Sequence, residues 1–133
     1  MKYLLDTNVC INFLRGNNVT LHEKFMAVSQ ENKYLCSVVV SELYYGAYKS
    51  QQEAKNLETV ANFTARFQSL TFDNESAKIF GQIRTFLEKQ GTPIGAYDLQ
   101  ISAIALQHNL TLVTHNTREF SRISLLQLDD WEF

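Results

Sequence analysis

Apolar positions along the chain change period repeatedly between short continuous runs and a helical stripe. Lys2 to Leu5 is a short apolar run with an aromatic, too short for a buried helix and long enough for a strand. It stops at Asp6, and Val9-Cys10-Ile11-Asn12-Phe13-Leu14 then has a helical look. The pattern predicts a first helix from Thr7 to Leu14, ended by the turn residues Gly16-Asn17-Asn18. Leu21, Phe25 and Val28 recur at helical spacing, predicting a helix over Thr20–Gln30 in which Thr20 and Glu23 form a capping box. Tyr34-Leu35-Cys36 reads as a second strand, with Ser37 capping a helix over Val38–Lys49 and a longer helix over Gln51–Phe67 after it. The β-branched start at Val38 leaves open a strand that runs on to Val39.

Ser69-Leu70-Thr71-Phe72 is the third predicted strand. Asp73 or Asn74 then caps a helix over Glu75–Gln90, and Gly91 stops it. After the Thr92-Pro93-Ile94-Gly95 loop, Ala96–His108 reads as a largely buried helix. Thr111–Thr114 is the fourth strand, Glu119-Phe120 a single helical turn, and Leu125–Leu128 a last strand. Strands separated by helices imply βαβ units, hence an α/β fold with a mostly parallel central sheet flanked by helices.

The totals narrow this further. A length of 133 residues with 45% hydrophobic content fits one domain, residues 1–133, with a proper core. No apolar run is long enough to span a bilayer, and Asp6 interrupts the N-terminal one too early for a signal peptide. Two cysteines, Cys10 and Cys36, read as buried apolar residues of a reducing compartment, so a cytoplasmic protein is expected. A net charge of −2 excludes a global polyanion-binding surface and leaves room for a local one.

The candidate chemistry lies in acids that recur at one end of the predicted strands. Asp6 ends the first strand, Glu42 falls early in the helix after the second, Asp98 near the start of the Ala96 helix, and Asn116 just past the fourth strand. Singly each has a plain structural reading: Asp6 as a helix cap, Glu42 as a solvated helix residue, Asn116 as a turn residue. Asp98, in an otherwise buried helix, needs a partner. In a parallel sheet all four converge on one edge, the usual ligand crevice. Three carboxylates about 5 Å apart at an effective dielectric of about 20 repel by roughly 3 kcal/mol per pair. A hard dication removes that cost, and oxygen donors without a Cys or His cluster favour Mg2+, or Mn2+ in its place, over zinc.

These residues carry a resemblance. Tyr3-Leu4-Leu5-Asp6-Thr7-Asn8, Ser41-Glu42-Leu43 with Gly46, Gly95-Ala96-Tyr97-Asp98 with Ile101 and Ala103, and Leu112–Phe120 stand in the order found in PIN-domain ribonucleases, and more narrowly in the VapC toxins of type II toxin–antitoxin pairs. The resemblance implies a Mg-dependent endoribonuclease, with Asp6, Glu42, Asp98 and Asn116 as its catalytic set. Asp6, Asp98 and Glu42 would hold the metal, directly or through water, and activate a water to leave a 5′-phosphate and a 3′-hydroxyl. Asn116 stands where the family often has Asp, which implies weak binding of any second metal; Glu119 is close enough in sequence to contribute. Thr7, Thr114 and Asn8 would orient ligands or water. Arg15, His115, Arg118 and Arg122 are candidate RNA contacts, and tRNA is a typical substrate. The expected partners are a second copy of the chain and a VapB antitoxin that neutralises it and is itself the DNA binder. The antitoxin's groove would be lined by Ile11, Phe13, Leu14, Leu43, Tyr44, Tyr45 and Tyr48. Two competing readings are a non-catalytic PIN-like binding module and a Mg-dependent phosphohydrolase. The second wants an acid two residues after Asp6, where Asn8 stands.

Overall fold

The computed structural model describes all 133 residues. Five strands form one sheet in the order β3-β2-β1-β4-β5, every neighbouring pair parallel: β1 Tyr3–Leu5, β2 Lys33–Cys36, β3 Gln68–Leu70, β4 Thr111–Val113 and β5 Leu128–Asp129. The main helices are α1 Thr7–Arg15, α2 Val19–Ala27, α3 Ser37–Tyr48, α4 Glu53–Thr64, α5 Asn74–Lys89, α6 Ala96–Gln107 and the short α7 Thr117–Phe120. No helix is long and apolar enough to cross a membrane.

The strand order decides where a ligand can sit. From the central β1 the chain first builds outward to β2 and β3, then returns to add β4 and β5 on the other side. The reversal falls between β1 and β4, and in open parallel sheets the crevice at that switch point takes the ligand. Leu4, Leu5, Leu35, Leu112 and Val113 are wholly buried, so the middle strands have no polar face. Helix α3 packs on α1, α4 and α6, while α6 also packs along α5. A second apolar focus is aromatic: Phe13 stacks on Phe25 with ring centroids 3.7 Å apart, and Phe63, Phe67 and Trp131 close around Phe25.

Several boundaries differ from the sequence expectation, each for a local reason. Helix α2 starts at Val19 because the Asn18 side chain accepts from the Leu21 N–H at 2.9 Å, so the Thr20–Glu23 capping box does not form. Strand β2 must reach Cys36 to pair with Leu70, so α3 begins at once and Ser37 is its first residue rather than its cap. Val38 and Val39 sit in that helix despite their branching, because their burial outweighs propensity. The long helix expected over Gln51–Phe67 is shorter at both ends. Strand β3 lies at Gln68–Leu70; Phe72 leaves the ladder and packs edge-on against Phe80. Strand β5 lies at Leu128–Asp129, opposite Leu112 and Val113, leaving Leu125 in an exposed turn. The expected stops hold: Gly16 and Gly91 take the left-handed φ of 70° and 72° that end α1 and α5. Asp73 caps α5 by accepting from the Ser76 N–H at 3.0 Å.

Leu112 lies at the centre of the sheet with no exposed surface. Leu112→Ala is expected to destabilise the fold by about 3 kcal/mol, seen as a lower urea midpoint with an unchanged m-value. A midpoint shift of only a few tenths of a molar would place this side chain outside the core.

Candidate active site

Asp6 leaves the end of β1 at the switch point and is anchored there. Its backbone N–H donates to the Val113 carbonyl at 3.0 Å, one ladder step beyond the β1–β4 pairing. Its side chain caps α1: Oδ1 accepts from the Thr7 N–H at 2.8 Å. Oδ2 accepts from the Thr114 hydroxyl at 2.8 Å, across 108 residues of sequence. The plain reading of Asp6 as a cap therefore holds, and the same carboxylate also bonds Thr114 across the sheet. Thr7 reaches the other way, its hydroxyl donating to Glu42 Oε1 at 2.8 Å. Thr114 Oγ1 also accepts from the Asn116 N–H at 3.1 Å, which sets the turn into α7.

Glu42 enters from α3, Asp98 from the first turn of α6, and Glu119 from α7. All four carboxylates feel one another. Burial pushes Asp6 above its ordinary pKa, opposed by the donors Thr114 and Thr7, and the charges of Glu42 and Glu119 push it further. Asp98 is raised to about 7, first by burial, then by Asp6 and by Glu119, which acts through its charge and through a carboxyl–carboxyl contact, and last by Glu42. The position of α6 is braced from α5, where Ser76 and Asp73 both bond the Gln107 side chain.

The structure thus brings Asp6, Glu42 and Asp98 together with Thr7 and Thr114. Asn116 stands at the rim, exposed, as the N-terminal flank of α7, without a side-chain hydrogen bond at the cap. The fourth acidic group is Glu119, three residues further on. Its signal in the sequence was slight: one acid in a single helical turn beyond a strand end. Asn8 is exposed and outside the network, so no second acid accompanies Asp6 in the way a phosphohydrolase of the kind considered above requires.

The remaining candidates divide. His115 is bonded through Nδ1 to Asp130 at 2.9 Å and, with Glu132, forms a separate trio whose polar atoms lie within 4.8 Å of one another. Arg122 donates to the Pro93 carbonyl at 3.0 Å, bracing the loop before α6. Arg15 and Arg118 are exposed. The seven residues expected to line an antitoxin groove, each of which reads equally as ordinary core, differ in exposure. Leu43 is core, while Ile11, Phe13 and Tyr44 are half-buried against that core, because α1 and α3 pack directly on each other. Leu14, Tyr45 and Tyr48 remain exposed.

A profile of the PIN domain matches residues 3–126, nearly the whole chain. The chain belongs to the PIN domain family. Relatives place this PIN domain among the VapC ribonucleases. It is 39% identical over 131 residues, 98% of each chain, to the tRNA(fMet)-specific endonuclease VapC of Shigella flexneri, and 36% identical over 133 residues to Ribonuclease VapC2 of Haemophilus influenzae, again covering 98% of both. Among solved structures it superposes on the DNA-bound VapBC of Salmonella typhimurium with a TM-score of 0.92 at 37% identity, covering 98% of each chain. It superposes on VapBC2 of Rickettsia felis bound to a promoter fragment with a TM-score of 0.91 at 33% identity, covering 98% of this chain and 99% of that one. The chain therefore shares the family and the fold of the VapC ribonucleases.

The raised Asp98 has a consequence for the metal-free protein. Unfolded, an aspartate titrates near 4; folded, this one titrates at about 7. Between those values the folded state holds a proton that the unfolded state has lost, so this contribution to stability is complete at the acidic end and lost as pH rises through 7. In chelator, the melting temperature is expected to fall from about pH 5 to about pH 8, and Asp98→Asn should flatten that fall. Glu119→Gln should flatten it in part. An equal slope in wild type and Asp98→Asn would refute the placement of Asp98.

Proposed function

We propose that this PIN domain is the toxin of a VapBC-type pair and hydrolyses phosphodiester bonds of RNA through a Mg2+ ion held by Asp6, Asp98 and Glu42. The observation that carries this reading is the convergence of those three carboxylates, with Glu119, at the β1–β4 switch point. The donor set fits a hard dication: carboxylate oxygens and threonine hydroxyls, with no sulfur or imidazole among them. Manganese fits the same oxygens.

When bound, the ion supplies charge neutralisation at the scissile phosphate and acidifies a water molecule. The chain's own residues prepare for that. Thr114 and the Thr7 N–H each occupy one lone pair of an Asp6 oxygen and so fix which lone pairs face the pocket. The Thr7 hydroxyl does the same for Glu42. Asp98, raised to about 7 without metal, would have to lose its proton to hold a cation, so metal affinity should rise with pH through 7. Glu119, near Asp98, takes the fourth acidic place in this reading, instead of Asn116.

The substrate we propose is tRNA, on the strength of the Shigella relative's name and the near-complete alignment. The partner is a VapB antitoxin, as in the solved VapBC complexes, and contact with DNA comes through it. We assign self-association to a cleft of about 300 Å³ lined by Ile83, Phe86, Leu106, Ile123 and Leu125, where Phe86 and Leu125 are exposed apolar side chains without a partner. A cytoplasmic site of action follows from an RNA substrate.

The decisive experiment is cleavage of a total small-RNA pool by purified protein with Mg2+, beside EDTA and Asp6→Asn controls, with the ends mapped. Discrete cuts bearing 5′-phosphates are expected, lost in EDTA. Asp6→Asn should reduce them at least about 100-fold, and Thr114→Val about 10- to 100-fold. Equal cutting by Asp6→Asn would overturn the assignment of the site.

A further inference from the structure

Helix α3 delivers Glu42 to the pocket, and one face of that helix continues outward from it. Positions 42, 45, 46 and 49 fall within about a third of the helix circumference. That face carries Tyr45, Gly46 and Lys49, and it is built for contact with something outside the chain.

Tyr45 is 67% exposed, although its neighbours Leu43 and Ala47 are buried in the core. The Lys49 ammonium sits over its ring, 4.6 Å from the centroid, and most of the tyrosine's surface is left to solvent. Gly46 is the stranger residue. It lies in the last turn of α3, before the Lys49 cap, where glycine is still a poor helix former. Nothing inside the molecule asks for it: its φ is not positive, and an added Cβ would meet no atom within 4 Å. A glycine without an internal reason, flanked by an exposed aromatic and a cation, marks a surface approached closely by a ligand.

We propose that this stripe is the track for the RNA nucleotide next to the scissile phosphate: its base stacks on the open face of Tyr45, its sugar–phosphate passes over Gly46, and the phosphate meets Lys49. This rests on the nuclease reading above and deepens it. Continuity with the acidic pocket favours RNA as the occupant. Tyr45 lies about 4.5 Å and Lys49 about 10 Å along the helix axis from Glu42, within reach of the strand that places a phosphate in the pocket. Charge favours it too, since Glu42 is the helix's sole acid and Lys49 carries the opposite sign at its far end. An apolar antitoxin segment would leave that ammonium unmatched. Aromatic stacking with a cation alongside is how single strands are held without regard to base identity.

The test measures cleavage and binding of purified initiator tRNA by the full chain and by Tyr45→Ala, Tyr45→Phe, Lys49→Gln and Gly46→Ala, together with each variant's melting temperature and affinity for its antitoxin. Tyr45→Ala should raise KM and Kd at least about fivefold with kcat within about twofold of wild type, and Tyr45→Phe should restore both. Lys49→Gln should lower the slope of log affinity against log salt by about 0.7. Gly46→Ala should raise the melting temperature and yet raise KM, a pairing of opposite signs that a purely structural role cannot produce. Unchanged KM and Kd in Tyr45→Ala while wild type cuts the tRNA would overturn the track, as would a loss confined to antitoxin affinity. Wild type that binds the tRNA without cutting it would sink the nuclease reading alone, because the Kd values still decide the track; wild type that does neither would sink both.

Discussion

Mutual repulsion among Asp6, Glu42, Asp98 and Glu119 is the constraint on which the rest of this structure turns. Like charges in a partly buried pocket drift apart or take up protons unless something holds them. Here the holding is done by the sheet. Asp6 is locked by a backbone bond to β4, by the start of α1 and by the Thr114 hydroxyl, so it cannot turn away. Asp98 responds differently: its burial first, and then the charges of Asp6, Glu119 and Glu42, make it keep its proton to about pH 7. The two responses are a fixed carboxylate at Asp6 and a retained proton at Asp98.

That arrangement uses the core economically. Strands β1 and β4 are buried on every side, and the residue that ends each one belongs to the pocket: Asp6 after Leu5, Thr114 after Val113. The apolar packing that stabilises the sheet also sets the spacing of the Thr114–Asp6 hydrogen bond. Helices α3, α6 and α7 then each supply one acid from a first or second turn. A short helix such as α7 has little stability of its own. It is held by Phe120, fully buried, so that one core contact positions Glu119 next to Asp98.

The outer face of α3 shows the same division between inside and outside. Leu43 and Ala47 hold the helix against the core, which leaves Tyr45 and Lys49 exposed on its outer side. The half-buried Phe13 and the core residue Leu43 explain why apolar side chains that looked available in the sequence are not. Their surface is already spent on the aromatic cluster around Phe25 and on the α1–α3 contact. The His115–Asp130 pair similarly engages a histidine that otherwise reads as free to meet RNA.

Local chemistry determined a good deal. The period of the apolar positions, the turn residues Gly16 and Gly91 and the Asp73 cap act over a few residues, so the alternation of strands and helices, the strand-end position of Asp6 and the early helical positions of Glu42 and Asp98 were legible from the chain alone. Edge strands were less so: β3 and β5 pair on one side only, and their register follows Cys36 and Val113, residues far away in sequence. Likewise α2 takes its cap from Asn18 rather than Thr20 because two good capping groups compete within one turn, and backbone geometry chooses between them. Tertiary structure alone decided that Glu119 joins the acids while Asn116 stays at the rim, that Thr114 bonds Asp6 across 108 residues, and that Leu43 is core while Tyr45 is not. Each of these depends on which helix face meets which neighbour, a distance between residues remote in the chain that no local pattern encodes.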